Sequence, residues 1–174
     1  EHGSAPSIRT LIRAGAAVAK ADRKGDTALV LAARGGFADA VGEILAAQGQ
    51  EAAGQIDRIA AVWAAGLGCH EAALQRLMPK PHALPAGKDG RTLAMHVAAA
   101  CSPALLSRAA ALSSIDTVDA SGRTALWYAA DNGREKSVET LIALGAVVDK
   151  ADHEGRTALH RALAPGDAAG FGAA

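Results

Sequence analysis

The sequence predicts an all-α solenoid of stacked helix–turn–helix units joined by β-hairpin-like fingers, and three observations carry that prediction. Half of the 174 residues are hydrophobic, yet aromatics make up only 3%. Alanine supplies much of the remainder, so the core must be built from small side chains at close approach. Helices pressed together suit that composition better than a sandwich, which wants Val, Ile, Tyr and Phe. The second observation is self-similarity: the stretch Gly15 to Leu29 returns, with most positions identical, as Gly145 to Leu159. The third is spacing. Gly90-Arg91-Thr92 and Gly122-Arg123-Thr124 repeat the same phrase, and Asp57-Arg58-Ile59 reads as a degenerate copy. The anchors at 25, 57, 90, 122 and 155 therefore stand 32 or 33 residues apart. A period of that length marks a unit too small to bury its apolar face alone, which stacks on its neighbours instead.

In chain order, residues 1–6 read as a tag-like or disordered leader and 7–18 as a half repeat. Full repeats follow at about 19–51, 52–84, 85–116 and 117–149, then a partial repeat at 150–166 and a tail at 167–174. Four of the five periods open on a Thr able to cap a helix N-terminus. A first helix follows, marked by paired alanines (Ala32-Ala33, Ala64-Ala65, Ala98-Ala99, Ala129-Ala130). It ends at Gly36, Gly68 or Gly133, since glycine enters the left-handed region freely. The second helix carries apolar residues at i, i+3, i+4 spacing, as in Val41, Ile44, Leu45 and in Val138, Leu141, Ile142. Turn formers from Val147 to Gly155 make the extended finger. Pro79, Pro81 and Pro85 stiffen one finger and remove backbone donors from it. Half repeats at both ends imply a segment cut from a longer protein.

With that period, the Gly-x-Thr-Ala-Leu turn and the paired alanines, the chain resembles the ankyrin repeat family, whose signature is Thr-Pro-Leu-His-x-Ala. The repeats beginning near Asp22, Asp119 and Asp152 carry the resemblance. Those near residues 55 and 87 match by spacing, alanines and glycines. The signature Pro is Ala28, Ala125 or Ala158 here; its His persists as His160 and is replaced by Val30 and Trp127. The resemblance implies a monomeric domain that binds another protein and has no catalytic residue and no cofactor.

Charge and motifs narrow the remaining classes. Eighteen basic residues balance eighteen acidic ones, so no global field attracts nucleic acid or an anionic membrane. No apolar run approaches the roughly 18–20 residues of a membrane span. Two cysteines are too few for a disulfide framework, which points to a reducing, cytoplasmic setting. The Ala, Arg and Gly bias suggests a bacterial source. Cys69-His70 and His96 with Cys101 are the nearest approach to metal ligands, but the spacing matches no zinc pattern. Neighbouring helices about 8–10 Å apart also disfavour a bond between the two thiols, so core or turn packing is the expectation. No nucleophile elbow, paired-carboxylate site or phosphate loop is present; Gly35-Gly36 and Gly66-x-Gly68 follow helices rather than precede them. Trp63 and Tyr128 fall at inward-facing positions, whereas Trp127 is the tryptophan expected nearer the surface.

The informative pattern is the residue between Gly and Thr: Asp26, Arg58, Arg91, Arg123, Arg156. On the family's architecture these form a row at the finger bases on the concave side, about 10 Å apart. Forked guanidiniums there suit carboxylates on a partner with an acidic surface, against which stand the diluting charges of Asp89, Asp131 and Glu154 and the alternative of a merely solvated row. The expected partner-binding set is Arg23, Lys24, Arg58, Lys88, Arg91, Ser121, Arg123, Trp127, His153 and Arg156. Two other readings compete with a binding module: a targeting or regulatory segment of a larger enzyme or secreted bacterial effector, and a purely structural spacer.

Overall fold

A computed structural model of the chain describes residues 3–48, 53–78 and 84–163. Residues 1–2 of the leader, residues 79–83 of the proline-rich finger, and the end of the chain from 164, including the 167–174 tail, lie outside the described residues. Ten helices and no strand are found among the described residues. They fall into two compact units, residues 1–82 and 83–174.

In the first unit the helices are α1 (Ala5–Arg13), α2 (Ala28–Arg34), α3 (Ala38–Gln48), α4 (Ala53–Leu67) and α5 (Glu71–Leu77). First-position helices α2 and α4 stack on each other, and second-position helices α1, α3 and α5 form the layer beside them. α1 begins at Ala5, inside the expected leader, with Pro6 in its first turn, where a missing N–H is tolerated. Gly3 and Gly35 both lie against the Phe37 ring, where a Cβ would collide with it.

The second unit contains α6 (Leu93–Ala100), α7 (Pro103–Ala110), α8 (Ala125–Asp131), α9 (Glu135–Ala143) and α10 (Ala158–Leu163). Here α6, α8 and α10 form the first-helix layer, with α7 and α9 packed behind. One alanine of each pair is sealed in the first-helix layers: Ala33, Ala65, Ala98 and Ala129 are wholly buried. A bare methyl at each contact lets neighbouring backbones approach, while Leu29, Ile44, Leu74, Leu105, Leu106 and Leu141 fill the space toward the second layer. Burying each such aliphatic side chain contributes about 1.5–3 kcal/mol.

The threonines cap as their positions require. Oγ1 of Thr27, Thr92 and Thr124 accepts from the backbone N–H of Val30, Met95 and Trp127 at 3.5, 3.4 and 3.2 Å. The expected turn at Asp57-Arg58-Ile59 is absent: these residues lie inside the 15-residue α4. Without a glycine to reverse the chain or a Thr to cap a new helix, the flanking alanines carry the helix straight through. A second departure concerns the end of α4. The left-handed position there is Cys69, at φ 56°, and not Gly68. Gly68 is required for another reason, because a Cβ on it would stand 2.5 Å from the His70 ring.

Candidate partner-binding site

The fingers of the second unit are hydrogen-bonded turns, each built around one aspartate. Asp119 Oδ1 accepts from the backbone N–H of Ser121 at 2.8 Å and of Arg123 at 2.9 Å. Asp119 N–H donates to Arg123 O, and Gly122 N–H to Asp119 O, both at 3.0 Å. Asp152 repeats this device, accepting from Glu154 and Arg156 N–H at 2.9 Å. Glycine is required at the reversal: Gly122 has φ +79°, and a Cβ there would meet His153 N at 2.9 Å. Adjacent fingers are tied by single backbone bonds, Ala120 N–H to Asp89 O and His153 N–H to Ser121 O, each 3.0 Å.

These turns deliver three arginines to the finger bases, where they lie against aromatic rings of α8. Arg91 stands over Tyr128 at 5.2 Å. Trp127 receives Arg123 at 4.9 Å, Arg156 at 5.9 Å and, from α10, Arg161 at 4.9 Å from its ring centroid. Carboxylates are interleaved with them. Arg91 Nε lies 3.0 Å from Asp89 and 3.9 Å from Asp119. Arg156 pairs with Asp152 at 3.0 Å and Glu154 at 2.9 Å, and Arg161 with Asp131. Four guanidiniums thus share the cluster with five carboxylates, so the expected basic strip is formally one charge negative. Arg123 differs from its neighbours: its side chain bonds only the Ser121 hydroxyl, at 3.2 Å, among the described residues.

Trp127 is only 4% exposed, which corrects its expected place nearer the surface. The indole fills the space a signature histidine would leave and is roofed by the guanidiniums. In α10 the retained His160 instead reaches back to the cap, taking the Thr157 N–H on Nδ1 at 3.2 Å. Ser121, Arg123, Trp127 and Arg156 are brought together; His153 joins them through its backbone, and Lys88 stands exposed on the preceding finger. Arg23 and Lys24 are exposed on the finger of the first unit, and Arg58 is exposed on α4, away from any finger base. Asp26, the first member of the row, pairs with Arg34 at 2.7 Å. Asp119 and Arg161 are members of the cluster that the sequence pattern did not mark as part of the row. Asp119 had a visible signal, since it recurs as Asp22 and Asp152 three residues before each turn glycine.

Tyr128 is buried and its hydroxyl donates to Asp119 Oδ2 at 2.6 Å. Burial, then the bond to Asp119 and its negative charge, push the phenol up to about 12, against opposing charges on Arg91 and Arg123. The neutral phenol is favoured in the fold, so its stabilisation is present below pH 10 and is lost as pH rises from 10 toward 12. Tyr128 is the chain's one tyrosine, so phenolate absorbance reads it alone. Titration of the folded chain should show a midpoint near pH 12 and, in urea, near pH 10; a folded midpoint at 10 would contradict the buried bond.

Neither Cys69 nor Cys101 is a free thiol, which corrects the expectation of two packed thiols and removes the support they lent to a reducing compartment. Cys69 lies beyond the end of α4, and Cys101 is the extended C-cap of α6. His96 is half-buried, and burial followed by the Arg91 charge holds its imidazole below the ordinary value. Among the described residues, no group of three His, Cys, Asp or Glu side chains is placed to hold a metal ion. No helix among them is long and apolar enough to cross a membrane.

The family model described as ankyrin repeats (3 copies) matches residues 103–169. Among solved structures, the ankyrin repeat domain of Bcl-3, described as a unique member of the IkappaB protein family, is similar over 92% of this chain and 74% of that one. The two are 23% identical, with a TM-score of 0.77. No curated protein sequence matches the chain significantly.

Proposed function

From the premise that this chain carries ankyrin repeats and the ankyrin-repeat fold, we propose that it binds a partner protein through the finger and first-helix side of its second unit. Ankyrin repeats are generally protein–protein interaction modules and typically non-catalytic. The observation that carries the reading is the way the fingers are set before any partner arrives. Asp119 and Asp152 each hold two backbone N–H groups of their own turn. Successive fingers are bonded to one another, and α8 is capped by Thr124. A surface ordered in advance loses little conformational entropy on binding, so more of the contact energy appears as affinity.

Within that face the partner's acidic groups are received at Arg123 rather than along the whole row, because the flanking arginines already face carboxylates. The exposed positions Lys88 and His153 widen the contact, and Arg23 and Lys24 offer a second one on the first unit. The partner is a protein and not a nucleic acid: five carboxylates around the arginines oppose a phosphate backbone. The chain acts as a monomer and contributes binding without chemistry of its own.

The test is affinity capture from lysate of the source organism, with the whole chain as bait. The double variant Lys88→Glu/Arg123→Glu should lose the partner, while Lys136→Glu, exposed on α9, keeps it. Arg91 and Arg156 are left intact because reversing them would break internal ion pairs and confuse misfolding with lost contact. Undiminished capture by the double variant would exclude this face.

A further inference from the structure

We propose that Arg123 is the point at which a partner protein places an acidic side chain, the carboxylate taking hydrogens from the two terminal nitrogens of the guanidinium. The inference rests on the reading of the chain as a binding module and names the chemistry of the partner at that face. Arg91, Arg156 and Arg161 each face a carboxylate of the chain itself. Arg123 stands among them with no carboxylate in ion-pair distance among the described residues. Asp119, whose carboxylate senses the Arg123 charge, has both oxygens committed: Oδ1 to the N–H groups of Ser121 and Arg123, Oδ2 to Tyr128.

Two donors on this stacked pair lack acceptors. Arg123 Nε and Trp127 Nε1 are buried and without a hydrogen-bond partner among the described residues. Buried donors left unmade cost free energy. A guanidinium never relieves that cost by losing its proton. The ring beneath fixes the plane of the fork at 4.9 Å, and a carboxylate matches that fork with two parallel bonds. Docking exchanges the 3.2 Å contact with neutral Ser121 Oγ for a charge-assisted pair. The other guanidiniums over the same ring add attraction to the incoming charge, while their own carboxylates keep them from competing for it.

The probe is an N-acetylated, C-amidated Gly-Gly-Glu-Gly-Gly peptide, compared with its Gln counterpart and titrated into the whole chain. Side-chain N–H resonances of Arg123 and Trp127 are followed by NMR. The Glu peptide should move both in a saturable manner and the Gln peptide should not. Arg123→Gln should weaken the response by about tenfold or more, Arg123→Lys should weaken it less, and Lys136→Gln, exposed on α9 outside this face, should leave it unchanged. Circular dichroism checks that each variant is folded. The lysine variant keeps the test decisive if the glutamine one is not. An equal response to the Gln peptide, a response centred on other arginines, or full binding by Arg123→Gln would overturn the proposal. If the peptides leave Arg123 unmoved while the unmodified chain still captures its partner, the anchor falls and the binding reading stands. Absence of any specific capture overturns the binding reading as well.

Discussion

Replacing Asp119 with Ala should destabilise the second unit by about 3 kcal/mol or more, since three buried or half-buried donors lose their acceptor at once. Ser121 N–H, Arg123 N–H and the Tyr128 hydroxyl all converge on this one carboxylate, whose side chain is 4% exposed. Arg91, 3.9 Å away, would lose a countercharge as well. Asp22→Ala supplies the contrast: its carboxylate makes the same two backbone bonds, at 2.8 and 3.0 Å, but on an exposed finger, so the loss should be about 1 kcal/mol. Urea unfolding followed by circular dichroism compares the two, and equal midpoints would remove Asp119 from its central place.

The acid side carries the same argument. Burial alone would raise the Asp119 carboxyl, but bonds from Tyr128 and the Arg123 and Ser121 N–H groups, with the Arg123 charge, outweigh it and hold it below its ordinary 3.8. Its contribution is therefore present above about pH 4 and is lost as pH falls through the lower folded value. Asp119→Asn should flatten part of the chain's acid destabilisation in that range.

How much of this was legible depended on whether a position is governed by its own repeat or by neighbours from the next one. The helices, their Thr caps and the sealed alanines follow from local spacing and could be read directly. Asp57-Arg58-Ile59 could not: a fixed period suggests a turn, and only the missing glycine and threonine together explain why α4 runs on. Cys69 was hidden similarly, because glycine preference assigns the left-handed residue to Gly68, whereas the His70 ring decides which of the two must be small. The arginine row was visible as a pattern, as was its dilution by Asp89, Asp131 and Glu154, but the individual pairings were not. Asp131, at the end of α8, meets Arg161 of α10, and Asp152 and Glu154 fold back on Arg156. Charge counted along one column of a repeat omits partners that arrive 30 residues later.

Trp127→Ala should be among the most damaging single substitutions in the chain, at about 3–5 kcal/mol for a buried tryptophan. Its indole lies beneath three guanidiniums and meets the Tyr128 ring edge-on at 5.2 Å. Each arginine over the ring adds about 0.5–2 kcal/mol, depending on how far it is desolvated. Loss of the ring would leave Arg123 in particular without its platform. Two further variants separate volume from chemistry. Trp127→Phe keeps an aromatic face and most of the volume, so it should cost less than Ala and preserve part of the Arg123 orientation. Trp127→His restores the signature residue, and His160 shows what it gains: an Nδ1 that meets the Thr157 N–H and hydroxyl at 3.2 and 2.8 Å. It should recover a cap bond of about 1 kcal/mol while leaving a void where the indole's second ring stood. The expected order of stability is Trp, then Phe, then His, then Ala. Urea midpoints with unchanged slopes test it. A histidine variant as stable as the natural chain would mean that the tryptophan is a tolerated substitution and not the floor on which the arginine cluster is built.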